Sequence, residues 1–90
     1  MSRANLERAA STLEEAANAA SDEDTKQRLE SQSSQFDSLA DADRGPDHGK
    51  LARHEHVLTE IADEEGGAVA NLIAEALESI HAYRETLEGV

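Results

Sequence analysis

The apolar residues of this chain recur at helical spacing, and the phase of that recurrence breaks part-way. Leu6, Ala9, Ala10, Leu13, Ala16, Ala17 and Ala20 lie three and four apart, the stripe of an amphipathic helix. Continued through one helix, the stripe would put apolar residues near positions 24, 27, 31, 34 and 38. Those positions hold Asp24, Gln27, Ser31, Ser34 and Ser38, and the apolar residues are instead Leu29, Phe36, Leu39 and Ala40. At about 100° per residue the second stripe is rotated by more than about 100° from the first. A straight helix cannot bury both stripes against one partner, so the chain turns. Ser2 is placed to cap the first helix. At SDED, Ser21 with Asp24 three residues later reads as a capping box, and the acids favour the first turn of a new helix. The second helix should end near Asp43.

Gly45-Pro46 is the strongest punctuation. Gly45 is expected in the left-handed position after the second helix, Pro46 where no helix continues, and Asp47 as the N-cap of the third. The third helix shows Leu51, His54, Leu58, Ile61 and Ala62, and reaches DEEGG at Asp63–Gly67. Val69, Leu72, Ile73, Ala76, Leu77, Ile80, Tyr83 and Leu87 form the best stripe in the chain. Two readings of Gly66-Gly67 stand. As one long kinked helix the segment would carry two interior glycines, at a cost of roughly 2 kcal/mol. Three acids would suit the start of a new helix better than the end of an old one, which favours a break. The halves also echo each other: Leu6 and Leu13 match Leu51 and Leu58, while Leu29, Phe36, Leu39 and Gly45 match Ile73, Ile80, Tyr83 and Gly89. The expected fold is all-α, a single domain over 1–90. It is an antiparallel up-and-down bundle of two helical hairpins, with helices at about 3–20, 22–43, 48–63 and 67–88.

The composition of the chain stands against such a fold. Only sixteen residues are Leu, Ile, Val or Phe, and the net charge is -12, values that suit a disordered chain. Disorder gives no reason for helical periodicity, so another cause is needed. Twenty acids, two lysines against six arginines, and sixteen alanines suit a cytosol of molar salt, where the Debye length falls to about 3 Å and carboxylate repulsion is screened. A halophilic protein is expected. There is no cysteine, hence no disulfide or thiolate chemistry. No apolar run nears the roughly 20 residues of a membrane span. MSRANLERAAS contains acid and lacks the apolar core of a secretion signal, so the expected location is cytoplasmic. The first helix offers only Leu6 and Leu13 as large residues. So thin a core calls for a staple, expected as a homodimer through the fourth stripe.

Asp43–His56, DRGPDHGKLARHEH, holds three of the eight cations and three of the four histidines. His54 and His56 point about 200° apart on a helix and cannot share one ion. His56 with Glu60, and His81 with Glu85, are spaced for two ligands each, which is a weak site. His54 lies on the apolar stripe and is expected partly buried. Glu78-Ser79-Ile80-His81 has the spacing of a di-iron ligand pair, with no partner helix repeating it. Two aromatic residues cannot line a pocket that would split a carboxylate pair into acid and base. No cofactor or metal is expected. The global charge opposes nucleic acid. Once Gly45, Pro46 and Asp47 are explained as stop, turn and cap, Arg44, His48, Lys50 and Arg53 are left as the candidate contact surface. The expected function is a non-catalytic interaction or scaffold module. The alternative is a small ligand-, anion- or metal-binding regulator or enzyme using residues 44–56.

Over its whole length the chain resembles small haloarchaeal proteins of unknown function. The resemblance is carried by DRGPDHGKLARH, Asp43–His54, and by AYRETLEGV, Ala82–Val90. It implies an all-helical fold and a halophilic cytoplasmic setting, and it brings no activity and no functional residues.

Overall fold

The computed structural model describes residues 2–87, with four helices and no strand among them: α1 Ser2–Ala19, α2 Glu23–Asp41, α3 His48–Glu65 and α4 Gly67–Arg84. They form an all-α bundle, elongated at 38 × 22 × 17 Å, in which α1 packs against α2 and α4, and α3 against α4. The Ser2 side chain, expected to cap α1, and Gly89 lie outside what is described.

The phase break is real, and the α1 stripe is buried from Leu6 to Ala17. Four of its buried residues are alanines. Small side chains let α2 and α4 approach α1 closely, and in that tight seam the buried Ser33 hydroxyl donates to the Ala10 carbonyl at 2.8 Å. The large core side chains come chiefly from the other helices: Leu29, Phe36, Leu51, Leu58, Ile61, Ile73 and Ile80 join Leu6 and Leu13, all with no exposed surface. Leu39, Leu72, Leu77 and Leu87, expected on the stripes, are only partly buried.

Several local expectations are corrected. The N-cap of α2 is Asp22, not Ser21; its carboxylate accepts the Thr25 N–H at 3.0 Å. Gly45 is not left-handed: positive φ occurs, among the described residues, at Gly66 and Gly67. Helix α2 ends at Asp41, before the expected 43, with Ala42 extended behind it. Its last carbonyls are taken by a side chain from across the hairpin. The Arg3 guanidinium donates to the carbonyls of Ala40, at 2.9 Å, of Ala42, and of Asp43, at 3.0 Å. Gly45 has another reason to be there. A Cβ at that position would collide with the Tyr83 hydroxyl. Helix α4 ends at Arg84 rather than 88.

Gly66-Gly67 is a turn, and the long kinked helix is set aside. Gly66 has φ 63° and ψ -167°, and Gly67 has φ 57°. The Gly66 conformation is open essentially to glycine alone. It reverses the chain so tightly that α3 and α4 lie side by side. The three acids of DEEGG therefore close α3 instead of opening α4. Their unfavourable place at a helix C-terminus is offset by α2, whose N-terminal end lies beside them. Glu65 accepts from the Thr25 hydroxyl at 3.0 Å, and Glu64 pairs with Arg28 at 3.1 Å.

Candidate functional site

The two faces of α3 carry the polar chemistry of the molecule. Asp47 caps the helix as expected, accepting the Lys50 N–H at 2.8 Å, and so sets the orientation of everything that follows. At about 100° per residue, Lys50 and Arg53 share one flank and His48 points away from them. The four candidate residues are accordingly not brought together. Arg44 is exposed in the loop, His48 turns toward α4, and Lys50 and Arg53 turn toward α2.

On the α4 side, His48 Nδ1 accepts from Arg84 Nε at 3.0 Å, and Arg84 Nη1 donates to Glu55 Oε1 at 3.0 Å. His81 Nε2 stands 3.5 Å from Glu55 Oε2. Glu55 is well enclosed, its side chain 16% exposed. Because the Arg84 Nε–H can only donate, His48 Nδ1 must present a lone pair, and the neutral ring carries its proton on Nε2. That Nε2–H and Glu55 Oε2 are buried with no hydrogen-bond partner among the described residues. The tautomer bears on metal chemistry. Nε2 carries a proton where a ligand needs a lone pair, and no group of three His, Cys, Asp or Glu among the described residues is placed to hold an ion. His56 does meet Glu60, at 3.4 Å on an exposed surface, while His81, four residues before Glu85, reaches Glu55 instead.

On the α2 side the helices stand farther apart, and long side chains bridge them. His54 is 8% exposed, in keeping with its place on the stripe. Its Nδ1 lies 2.8 Å from Gln32 Oε1, and its ring sits 4.9 Å from that of Phe36, tilted by 60°. Burial lowers its pKa from the ordinary 6.5, and the charges of Lys50 and Arg53 lower it further. Above this layer lies an open groove. Its C-terminal part, about 290 Å³, is lined by Ser31, Ser34, Gln35, Ser38 and Leu39 of α2 and by Lys50 and His54 of α3, with no carboxylate. It continues past Arg53 and Val57, where Asp47 adds one carboxylate.

The two stretches that carry the sequence resemblance meet in this region. Gly45 lies under the Tyr83 hydroxyl, and His48 is bonded to Arg84. The chain belongs to a family of unknown function, DUF7553, which matches it over residues 1–86. No curated protein and no solved structure matches this chain. The DUF7553 match takes in α1 to α4 and both faces of α3, and it attaches no activity to either. Sequence reasoning missed Glu55, Tyr83 and Arg84. The signal was present. Reflecting the chain about Gly66–Gly67 sets position 48 opposite 85, beside Arg84, and position 55 opposite 78, one turn from His81 and nearly two from Arg84. Only the choice of a turn over a kink makes that reflection legitimate.

Proposed function

We propose that this member of DUF7553 is a non-catalytic interaction or scaffold module of a haloarchaeal, salt-adapted cytoplasm. Its contact surface is the Arg44–Arg53 segment together with the groove between α2 and α3. One observation carries the reading: in a chain of net charge -12, the stretch of groove from Ser31 to Lys50 is lined by three serines, one glutamine, a leucine, a lysine and a histidine, and by no acid. A stretch of surface free of carboxylates amid so many is suited to contact with another molecule. The halophilic setting rests on composition, on abundant acid and scarce lysine. Homodimerisation is part of the proposal. Val69, Ile73, Ala76, Ile80 and Tyr83 are spent inside the bundle, so the apolar side chains of the fourth segment left for a second copy are the partly exposed Leu72, Leu77 and Leu87.

The test is copurification in molar KCl with wild type and with Lys50→Glu/Arg53→Glu. A partner held by wild type and released by the variant, at equal helicity, supports the reading. A partner held equally by both overturns it. Helicity by circular dichroism should collapse below about 0.1 M salt and return above about 1 M. Full helicity in dilute buffer would remove the halophilic part alone.

A further inference from the structure

We infer that the α2–α3 groove receives a short carboxylate-bearing segment of a protein partner, with its acids on Lys50 and Arg53. This rests on the proposal that the groove is the contact surface and names what enters it.

Shape comes first. Connected depressions follow the seam from Asp24 and Arg28 at one end to Ser38 and Lys50 at the other. That is fifteen residues of α2, a rise of about 21 Å at 1.5 Å per residue. A trough of that length fits a polypeptide segment lying along the helices better than a compact ligand.

Charge comes second. The exposed acids of the middle and C-terminal turns of α2, Glu30, Asp37 and Asp41, do not line the groove; they stand between Ser33, which meets α1, and Ser34 at the groove's rim. The groove flank presents Ser31, Gln35 and Ser38, each able to donate to a carboxylate or a carbonyl. Lys50 and Arg53 stand on the opposite wall. Asp47, the one acid beside them among the described residues, already accepts the Lys50 N–H as helix cap.

The third feature separates a protein segment from other anions. Leu39 and Val57 are partly exposed in the groove and give apolar side chains two seats. Both aromatic rings of the chain are turned inward, Phe36 fully and Tyr83 to 5% exposure, so neither offers a face on which a base could stack. A long polyanion would also run out of the cationic end onto Asp24 and Glu64. A short segment with its acids at one end avoids them.

The experiment uses the full chain in about 2 M KCl, where carboxylate repulsion is screened to contact range. The probes are a labelled peptide of about fourteen residues, acidic at one end and carrying two leucines, and an oligothymidylate of equal charge. Fluorescence anisotropy is read for both. The peptide should bind wild type, at least about tenfold more weakly to Lys50→Gln/Arg53→Gln, and more weakly still to the Glu pair. Arg8→Glu, on the α1–α4 side, should leave binding unchanged. Circular dichroism at the same salt checks that each variant is folded. Equal binding by wild type and the Gln pair, or tighter binding of the oligothymidylate, overturns the inference. So does no peptide binding to wild type while the copurified partner remains sensitive to Lys50 and Arg53, and in that case the contact surface stands and only its occupant is wrong.

Discussion

Helix α3 shows one face to α4 and another to α2, and the two faces fare differently. Toward α4 its polar side chains are drawn into a bonded network, His48 to Arg84, Arg84 to Glu55 and Glu55 beside His81, at the edge of a depression of about 250 Å³. Toward α2 they line an open groove in which Lys50 and Arg53 stay exposed. Composition is part of the difference: the α4 face offers the acid Glu55 to Arg84, whereas the α2 face carries Lys50 and Arg53. The spacing of the neighbours is the other part. A two-glycine reversal holds α3 and α4 side by side, whereas α2 and α3 meet through side chains, among them the Phe36 and His54 rings 4.9 Å apart. Across the wider α2–α3 gap Gln32 still reaches His54, and Thr25 and Arg28 reach Glu65 and Glu64, but Lys50 and Arg53 find no such partner among the described residues.

The strongest way to break the contrast is to open the closed face. Gly66→Ala with Gly67→Ala places two side chains at positive φ and should cost about 2 to 4 kcal/mol, seen as a large fall in the thermal unfolding midpoint in molar KCl. A midpoint within a degree of wild type would mean that the two-glycine turn does not constrain the α3–α4 seam. Next, Gly45→Ala drives a methyl group into the Tyr83 hydroxyl and should destabilise by about 1 to 3 kcal/mol. Adding Tyr83→Phe should restore much of that loss, and the double-mutant cycle measures the contact itself. Third, Glu55→Ala removes the acceptor of Arg84 and should cost about 1 to 3 kcal/mol. On the open face, Lys50→Ala and Arg53→Ala should each stay within about 0.5 kcal/mol of wild type. Equal losses on both faces would erase the distinction.

The smallest effect belongs to His54, between the two. Its folded pKa is lowered, by burial first and then by Lys50 and Arg53. The unfolded chain therefore takes up the proton more readily than the folded one. The stability this histidine contributes is complete above the unfolded value of 6.5 and declines as pH falls through it toward the lower folded value. The unfolding midpoint should drop as pH is lowered from about 7 to 5, and His54→Leu should flatten that slope. An identical slope in the variant would place the titration elsewhere.

Much of the fold is legible in the sequence. The stripe of α1, the phase break after it, the cap at Asp47 and the inward turn of His54 all follow from spacing, and the structure bears each of them out. The expectations that fail share a cause. A left-handed stop at Gly45 is what Gly-Pro commonly supplies, but Arg3 caps those carbonyls from 37 residues away, and Gly45 serves Tyr83 instead. The dipole argument places DEEGG at the start of α4. Glu64 and Glu65 tolerate the end of α3 because Arg28 and Thr25 lie across from them. Of the candidate contact residues, sequence can name Arg44, His48, Lys50 and Arg53 by elimination, and cannot tell that His48 turns from the others to meet Arg84.

By itself the sequence determined the helices, their order and the two reversals at Ser21–Asp22 and Gly45–Pro46. Those depend on interactions within a few residues, periodic burial, caps and allowed φ, which spacing records directly. Tertiary structure alone decided which seam would close and which would stay open. That outcome rests on contacts between residues 22 to 40 apart, such as Gln32 with His54, Arg84 with His48 and Arg3 with Asp43. Such contacts exist only once the alanines of α1 have drawn α2 and α4 close and left α3 to face α2 across a wider gap.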